Sequence, residues 1–261
     1  GSLSQACTVT LAPNTLSKVW CIENNAGDSV TLTQGSGANV VIPNGGIRMI
    51  VTDGAGSGAA ITDVLDVLGG TGNIALGSGA MGIALTSGTD NVAIGENALD
   101  AVTSGSDNTV VGDNAGGAIS TGADNVAIGS AALATEDGNG KNVAVGSQAL
   151  QTLNAGADSY NVAVGYQAGN DITTGIQNTL VGGLAGDVLT DADYNVAMGV
   201  SALGTDTKGS KSVAIGYSAL TAQNFTTSTD TYNTAVGYGA GVAVTTGLGN
   251  TLLGGLAGDA L

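Results

Sequence analysis

The phrase NVAIG stands at residues 91–95 and returns, with small changes, along most of the chain. Each copy has an Asn or Ser, a β-branched residue, a small or apolar residue, an apolar residue and a Gly. Eleven copies start at residues 73, 91, 108, 125, 142, 161, 178, 195, 212, 233 and 250, most often 17 residues apart. Because self-similarity at a fixed period indicates a repeat architecture, the sequence predicts a solenoid.

The two faces of the phrase predict a short buried strand. The second residue is β-branched and the fourth is apolar in every copy, so these two side chains share one face. The third residue lies on the opposite face and is Ala in eight copies. A strand that is apolar on both faces is buried on both. We therefore expect the Ala face to pack against other copies of the chain, with each coil formed by two short strands and two turns.

The Gly and Asn positions of the phrase are expected to have structural roles. Gly closes the strand where the chain turns with positive φ against the next coil. Asn is expected to stack with its equivalents as an amide ladder. Eleven coils about 4.8 Å apart would form a rod roughly 50 Å long. Representative repeat residues are Asn91, Gly95, Asn108, Gly112, Asn125, Gly129, Asn161 and Gly165.

Four copies carry a resemblance to a known family: NVAIGENAL (91–99), NVAIGSAAL (125–133), NVAVGSQAL (142–150) and SVAIGYSAL (212–220). They resemble the head repeats of YadA-like trimeric adhesins. The resemblance implies a left-handed parallel β-roll and a homotrimer with three chains side by side. The adhesin repeat is typically shorter, and the 17-residue form NTAVGYGAG (233–241) is similar to repeats in bacteriophage tail fibres. The chain ends inside copy eleven, so we expect a fragment.

Residues 3–68 lack the phrase and predict a separate domain. Five runs, TVTLAP, KVWCIEN, SVTLTQ, NVVIP and IRMIVTDG, are separated by turn residues and indicate a small N-terminal β-sandwich. Their order is similar to small β-domains of phage tail fibres and spikes. The run ITDVLDVL (61–68) fits a last strand or a short helix, and residues 69–72 are the predicted hinge into the β-roll domain, 69–261. Gly1 and Ser2 are interpreted as a cloning scar.

Composition excludes several functions. Lys and Arg total 5, Asp and Glu total 21, and the net charge is −16, which argues against nucleic acid and against a basic membrane-surface helix. His is absent, and no pair of carboxylates has a recognisable catalytic spacing, so we expect no enzyme. Cys7 and Cys21 are equally consistent with a disulfide and with two small buried strand residues.

The residue before each phrase forms a predicted column along the solenoid. Asp90, Asp107 and Asp124 occupy it in successive coils, and either a bound Ca²⁺ or simple solvation would relieve their repulsion. Apart from that ion, no cofactor is expected.

All six Tyr lie in the C-terminal half and form two columns. One precedes the phrase and one follows its Gly: Tyr160, Tyr194 and Tyr232, then Tyr166, Tyr217 and Tyr238. Two interpretations are open: a stripe that stacks on sugars, or a cover for a backbone edge or a junction between chains. Two insertions, at 151–160 and 221–232, are further candidates for binding loops. The second contains Phe225, which either contacts a receptor or packs back on the solenoid.

The sequence as a whole predicts an all-β protein: a small N-terminal β-sandwich followed by a left-handed parallel β-roll of about eleven 17-residue coils, assembled as a homotrimer. The expected function is a structural and adhesive segment of a phage tail fibre, located in the virion, that projects toward a bacterial surface glycan. The alternatives are the head of a bacterial trimeric adhesin on the cell surface, and a spacer whose receptor tip lies elsewhere.

Overall fold

The computed structural model describes residues 6–13, 15, 17–42, 44, 47–68, 72–82 and 85–260. The proposed scar at residues 1–2 and most of the proposed hinge, residues 69–71, lie outside this part. In the described ranges the chain is all-β, and its single helical segment is the short 3-10 turn Gly56–Gly58. No helix in these ranges is long and apolar enough to cross a membrane.

Nineteen strands follow one another in the described ranges. They are β1 (Cys7–Thr10), β2 (Ser17–Glu23), β3 (Val30–Thr33), β4 (Val40–Ile42), β5 (Ile47–Asp53), β6 (Ile61–Leu68), β7 (Asn73–Leu76), β8 (Val92–Ile94), β9 (Thr109–Val111), β10 (Val126–Ile128), β11 (Val143–Val145), β12 (Val162–Val164), β13 (Thr179–Val181), β14 (Val196–Met198), β15 (Gly209–Ser210), β16 (Val213–Ile215), β17 (Thr229–Asp230), β18 (Thr234–Val236) and β19 (Thr251–Leu253).

The repeat region forms a parallel β-solenoid of about ten turns. Each of the eleven phrases supplies one strand, and each strand pairs in parallel with the strand of the next copy. The register places equivalent residues opposite each other, as Ala127 opposite Ala144. The predicted repeat fold is therefore confirmed, and its in-register stacking explains why the same residue type recurs at each position.

The prediction of two strands per coil is wrong for most of the solenoid. In the described ranges only β15 and β17 form a regular second pair. Elsewhere the coils are joined outside the phrase by backbone bonds between turns, such as Thr103 N–H to the Ser120 carbonyl at 2.8 Å. The reason is that several residues of each coil are left-handed, for example Ala131 (φ 55°) and Leu133 (φ 52°), which interrupts extended geometry.

The prediction for the two strand faces is also wrong. The Ala face points into its own coil: Ala93, Ala127 and Ala163 are fully buried within one chain. The β-branched and apolar face points outward, and Ile128 and Met198 are 38% and 41% exposed. The inside of so small a coil is shared with a second column of Ala and with Leu, Ile and Val side chains, which leaves room for only small residues on the inward face.

The larger residues on the inward face are matched by glycine. Leu180 replaces the usual Ala in its coil, and Gly186 stands where five other coils have a buried Leu, such as Leu133 or Leu203. A Cβ at Gly186 would lie 3.0 Å from the Leu180 side chain. Volume is therefore exchanged between two positions of one coil, which keeps the narrow core filled without overpacking.

The N-terminal segment contains the five predicted strands, and the run 61–68 is a strand. β1, β3 and β4 form one small sheet, whereas β2, β5 and β6 extend the solenoid sheet through antiparallel pairing of β6 with β7. Leu32 and Ile42 of the small sheet share a buried cluster with Ile50 of the extended sheet. A sandwich that is a domain of its own stays a prediction.

The two cysteines fit neither of the interpretations offered by the sequence. Both thiols are free in the structure. Cys7 on β1 is half-buried and Cys21 on β2 is exposed, so they are strand residues without being buried.

Candidate functional site

The six Tyr side chains all lie on the solenoid surface. Their exposed fractions run from 47% to 63%. In sequence order they are Tyr160, Tyr166, Tyr194, Tyr217, Tyr232 and Tyr238. The structure therefore brings the predicted receptor-contact residues to the surface in two columns on either side of the strand.

Tyr217 and Tyr238 form a stacked pair. They follow the phrase glycines of neighbouring coils, and their ring centroids are 5.2 Å apart with an interplanar angle of 10°. They are 52% and 63% exposed. Val200, in the coil before Tyr217, is 47% exposed and continues the same column. Together these side chains form an apolar and aromatic strip along the solenoid axis.

The strip borders the outward strand face. That face carries a β-branched residue and an apolar residue from each of the eleven coils, and extends for ten coil steps of about 4.8 Å, or about 48 Å. Its most exposed members are Ile74, Leu76, Ile128, Val164, Met198 and Leu253. A long exposed apolar surface with polar and aromatic borders is typical of a protein interface.

Two Tyr belong to clusters with Lys and Asp. Lys141 pairs with Asp158, and its Nζ lies 5.3 Å from the Tyr160 ring centroid. The hydrogen bond from the Lys141 ammonium lowers the pKa of Asp158, and the same bond raises the pKa of Lys141. Because these groups are solvent-exposed, the shifts describe local pairing rather than a large contribution to stability.

The second cluster repeats the first in a later coil. Lys211 Nζ lies 2.5 Å from Asp230 Oδ2 and 5.4 Å from the Tyr232 ring centroid. The Tyr232 hydroxyl donates to Asp230 Oδ2 at 3.1 Å. The hydrogen bond from Lys211 lowers the pKa of Asp230. The two Tyr were predicted from the sequence as receptor contacts. Their Lys and Asp partners were not, although Asp-x-Tyr ends both inserted coils.

The predicted metal residues lie in successive coils, as expected, with left-handed backbone. Asp90, Asp107 and Asp124 have φ of 58°, 59° and 60°. Within the described ranges, no three His, Cys, Asp or Glu side chains form a group that could hold a metal ion. Ca²⁺ binding by these residues stays a prediction.

Phe225 packs back on the solenoid. It is 8% exposed, and its backbone N–H donates to Asp206 Oδ1 at 3.0 Å. The inserted segment 221–232 therefore contains one buried aromatic residue, Phe225, and one exposed aromatic residue, Tyr232. Phe225 presents little surface to a receptor.

The predicted amide ladder is present, and its Asn side chains are buried except that of Asn250 in the last copy, which is half-buried. Asn108 Nδ2 donates to Asn91 Oδ1 at 2.9 Å and to the Gly122 carbonyl at 2.9 Å. Asn108 Oδ1 in turn accepts from the backbone N–H and Nδ2 of Asn125, both at 3.1 Å. Each Asn therefore joins three successive coils, which explains its recurrence at the first position of the phrase.

Ser212 replaces Asn in copy nine, and Gln223 supplies the missing amide. Gln223 Nε2 donates to Ser212 Oγ at 2.9 Å and to Asp206 Oδ2 at 2.5 Å, and Asn233 Nδ2 donates to Gln223 Oε1 at 2.8 Å. All four side chains are buried. The sequence signal was available, since Gln223 and Asp206 occupy a position that is apolar in most other coils.

Glu136 occupies the same core position as Asp206 and Gln223, but its carboxylate is only partly hydrogen-bonded. Its side chain is completely buried, in register with Ile119 and Leu153 of the neighbouring coils. Oε1 accepts from the backbone and side-chain amides of Asn139 at 3.1 and 2.8 Å, whereas Oε2 has no partner in the described part of the chain. Burial raises the pKa of the Glu136 carboxyl above its ordinary value of 4.5, and the neighbouring Asp137 adds to the rise.

Glu136→Gln is expected to change how stability depends on pH. A carboxyl with a raised folded-state pKa stabilises the folded chain at pH values below its unfolded pKa, and this stabilisation is lost as pH rises toward the folded pKa. The neutral amide removes that loss. We expect the difference in free energy of unfolding between Glu136→Gln and wild type to shift in favour of the variant by on the order of 1 kcal/mol from pH 4 to pH 7. Urea denaturation at both pH values measures this, with exposed Glu96→Gln as control. Equal pH profiles for wild type and Glu136→Gln would contradict the prediction.

Comparison with protein-family models, with curated proteins and with solved structures found no match to this chain.

Proposed function

We propose that this chain is a structural and adhesive segment of a phage tail fibre, which projects toward a bacterial surface and binds a glycan there. The observation that carries the proposal is the exposure of all six Tyr in two columns, including the stacked pair Tyr217 and Tyr238. Flat, exposed rings on a rigid scaffold suit the apolar face of a sugar, and the Tyr hydroxyl groups outside the two Lys and Asp clusters remain available to water or ligand.

The proposal includes a homotrimer assembled through the outward strand face. In a single chain this face leaves Val, Ile and Met side chains partly exposed over ten coil steps. Burying apolar surface is the main favourable term in association, so three copies that cover one another's faces would remove the largest apolar surface from water. The Tyr columns would then border the interface. The left-handed winding implied by the adhesin resemblance belongs to this proposal.

A net charge of −16 on each chain limits which receptors suit the chain without selecting one. Three chains would carry −48 in total, which favours solubility and disfavours contact with anionic polymers. Neutral Tyr contacts are therefore the most suitable recognition surface. An adhesin head on a bacterial surface and a spacer without a receptor site are the competing functions.

The test is binding of the purified chain to an array of bacterial surface polysaccharides. We expect binding to a subset, and the double variant Tyr217→Ala/Tyr238→Ala is expected to weaken it about tenfold or more because two stacking platforms are lost. Leu248→Ala, which truncates an exposed apolar side chain outside the strip, is the control. Light scattering on the same sample is expected to report a trimer. Absence of glycan binding would favour the spacer, and a monomer would refute the proposed assembly.

A further inference from the structure

The Lys, Asp and Tyr clusters occur in the two longest coils of the solenoid. The first cluster is Lys141, Asp158 and Tyr160, and the second is Lys211, Asp230 and Tyr232. In both, the Lys precedes the phrase of the long coil, and Asp-x-Tyr ends that coil. The two long coils contain 19 and 21 residues, so the same three side chains meet in spite of different insertions.

The third Tyr in the same column shows that the cluster is not a general property of the repeat. Two residues before Tyr194 the chain has Ala192. Two residues before the other two Tyr it has Asp158 and Asp230. Among the described residues, no Lys or Arg lies over the Tyr194 ring, and its hydroxyl has no carboxylate partner. The clusters are therefore specific to the two inserted coils.

Stability does not account for the clusters. Exposed ion pairs contribute little to stability. The Lys and Tyr residues also have left-handed backbone, with φ of 65° at Lys141 and 52° at Tyr160, which is unfavourable for residues with a Cβ. Gly occupies the same column at Gly72 and Gly249, so the backbone accepts the less strained residue. The remaining explanation is the chemistry that the three side chains present to solvent.

Each cluster combines a half-exposed ring, a carboxylate and an ammonium. Tyr160 and Tyr232 are 50% and 61% exposed, and the Lys and Asp side chains of both pairs are between 36% and 49% exposed. The ring offers an apolar platform, the carboxylate accepts hydrogen bonds from hydroxyls, and the ammonium donates to them. Because the ion pair is internally neutral, the cluster attracts no net charge.

We propose that the two clusters are equivalent subsites for an uncharged pyranose of a polysaccharide. The CH face of the sugar lies on the Tyr ring, and adjacent hydroxyls bond to the Asp and Lys. This inference rests on the proposed glycan-binding function and names its ligand class. The clusters are four coil steps apart, or about 19 Å along the solenoid, so one polysaccharide chain can occupy both and gain affinity by avidity. An acidic sugar fits less well, since the Lys is already paired and the chain is strongly negative.

The experiment uses the full chain and a panel of neutral bacterial polysaccharides beside polysaccharides that contain uronic acid. Binding is expected for neutral members. With the polysaccharide that binds best, titration calorimetry is expected to show that Tyr160→Ala or Tyr232→Ala lowers the affinity about tenfold. The double variant Tyr160→Ala/Tyr232→Ala, which has no intact subsite, is expected to lower it about 50-fold or more. Asp158→Asn/Asp230→Asn keeps the shape of both clusters and is expected to lose about tenfold. Asp191→Asn, which removes the carboxylate of an exposed ion pair with Lys208 that belongs to neither cluster, is the control, and circular dichroism verifies folding of every variant.

Three results overturn the inference while leaving the proposed function in place: binding to acidic polysaccharides alone, an equal loss in Asp191→Asn, or full binding by Tyr160→Ala/Tyr232→Ala when Tyr217→Ala/Tyr238→Ala binds more weakly. Failure of the wild-type chain to bind any polysaccharide overturns the inference and the proposed function together.

Discussion

Gly182→Ala is expected to destabilise the solenoid by on the order of 3 kcal/mol, whereas the same change at the next residue, Gly183, is expected to have little effect. Gly182 has φ of +133°, a region that is essentially restricted to glycine. A Cβ there would lie 2.6 Å from the backbone carbon and oxygen of Gly199 in the next coil. Gly199 directly follows β14, and its carbonyl accepts from the Ala202 N–H at 3.3 Å, so these atoms cannot move without disturbing the turn that follows the strand. The substitution therefore combines backbone strain with a clash.

Gly183 provides the matched control. The nearest atom to an added Cβ is the Tyr166 carbonyl oxygen at 4.0 Å, which is ordinary contact, and the residue is not left-handed. Thermal unfolding followed by circular dichroism compares the two. A destabilisation of about 3 kcal/mol corresponds to roughly 6–12 °C in Tm for a chain of this size. Equal Tm values for the two variants would show that the solenoid relaxes around the added methyl group.

Asn108→Ala is the second change with a large expected effect. The Asn108 side chain donates to Asn91 and to the Gly122 carbonyl, and accepts twice from Asn125, all without access to water. Truncation leaves the Gly122 carbonyl and the Asn125 donors with missing partners inside the protein. Because an unsatisfied buried group costs about 1–3 kcal/mol, we expect a loss of roughly 3 kcal/mol in the free energy of unfolding.

Asn154→Ala is the control for the ladder. Asn154 is exposed, and a surface substitution of this kind is expected to change stability by about 0.5 kcal/mol or less. Urea denaturation of both variants measures the difference. A loss in Asn108→Ala no larger than in Asn154→Ala would mean that water enters the ladder and replaces the amide.

Most of the repeat architecture was predictable because each coil repeats the same physical requirements. The Gly that ends each phrase and the Asn that begins it recur since every coil needs the same turn and the same buried amide. Parallel stacking then follows from equal coil length. The N-terminal strands were predictable from their turn residues. Pairing of β6 with β7 was not, because residues 69–72 between them were predicted to be a hinge between two domains.

The candidate sites were predictable only in part. The Tyr columns followed directly from the register. Their Lys and Asp partners did not, because a 19- or 21-residue coil gives no indication from sequence of where its extra residues turn back. Glu136, Asp206 and Gln223 were also missed, although each interrupts an apolar column, since an acid at a core position is meaningful only once that column is known to be inside.

The sequence alone determined the coil, its glycine turns, its amide ladder and the surface columns, because these depend on periodicity. Tertiary structure decided which strand face is inside. Both faces are apolar, so alternation cannot distinguish them, and the outcome depends on volume: the narrow coil accepts Ala and excludes most Val and Ile. The same limit on volume pairs Leu180 with Gly186 and places the larger apolar side chains outside, where the proposed partner chains would cover them.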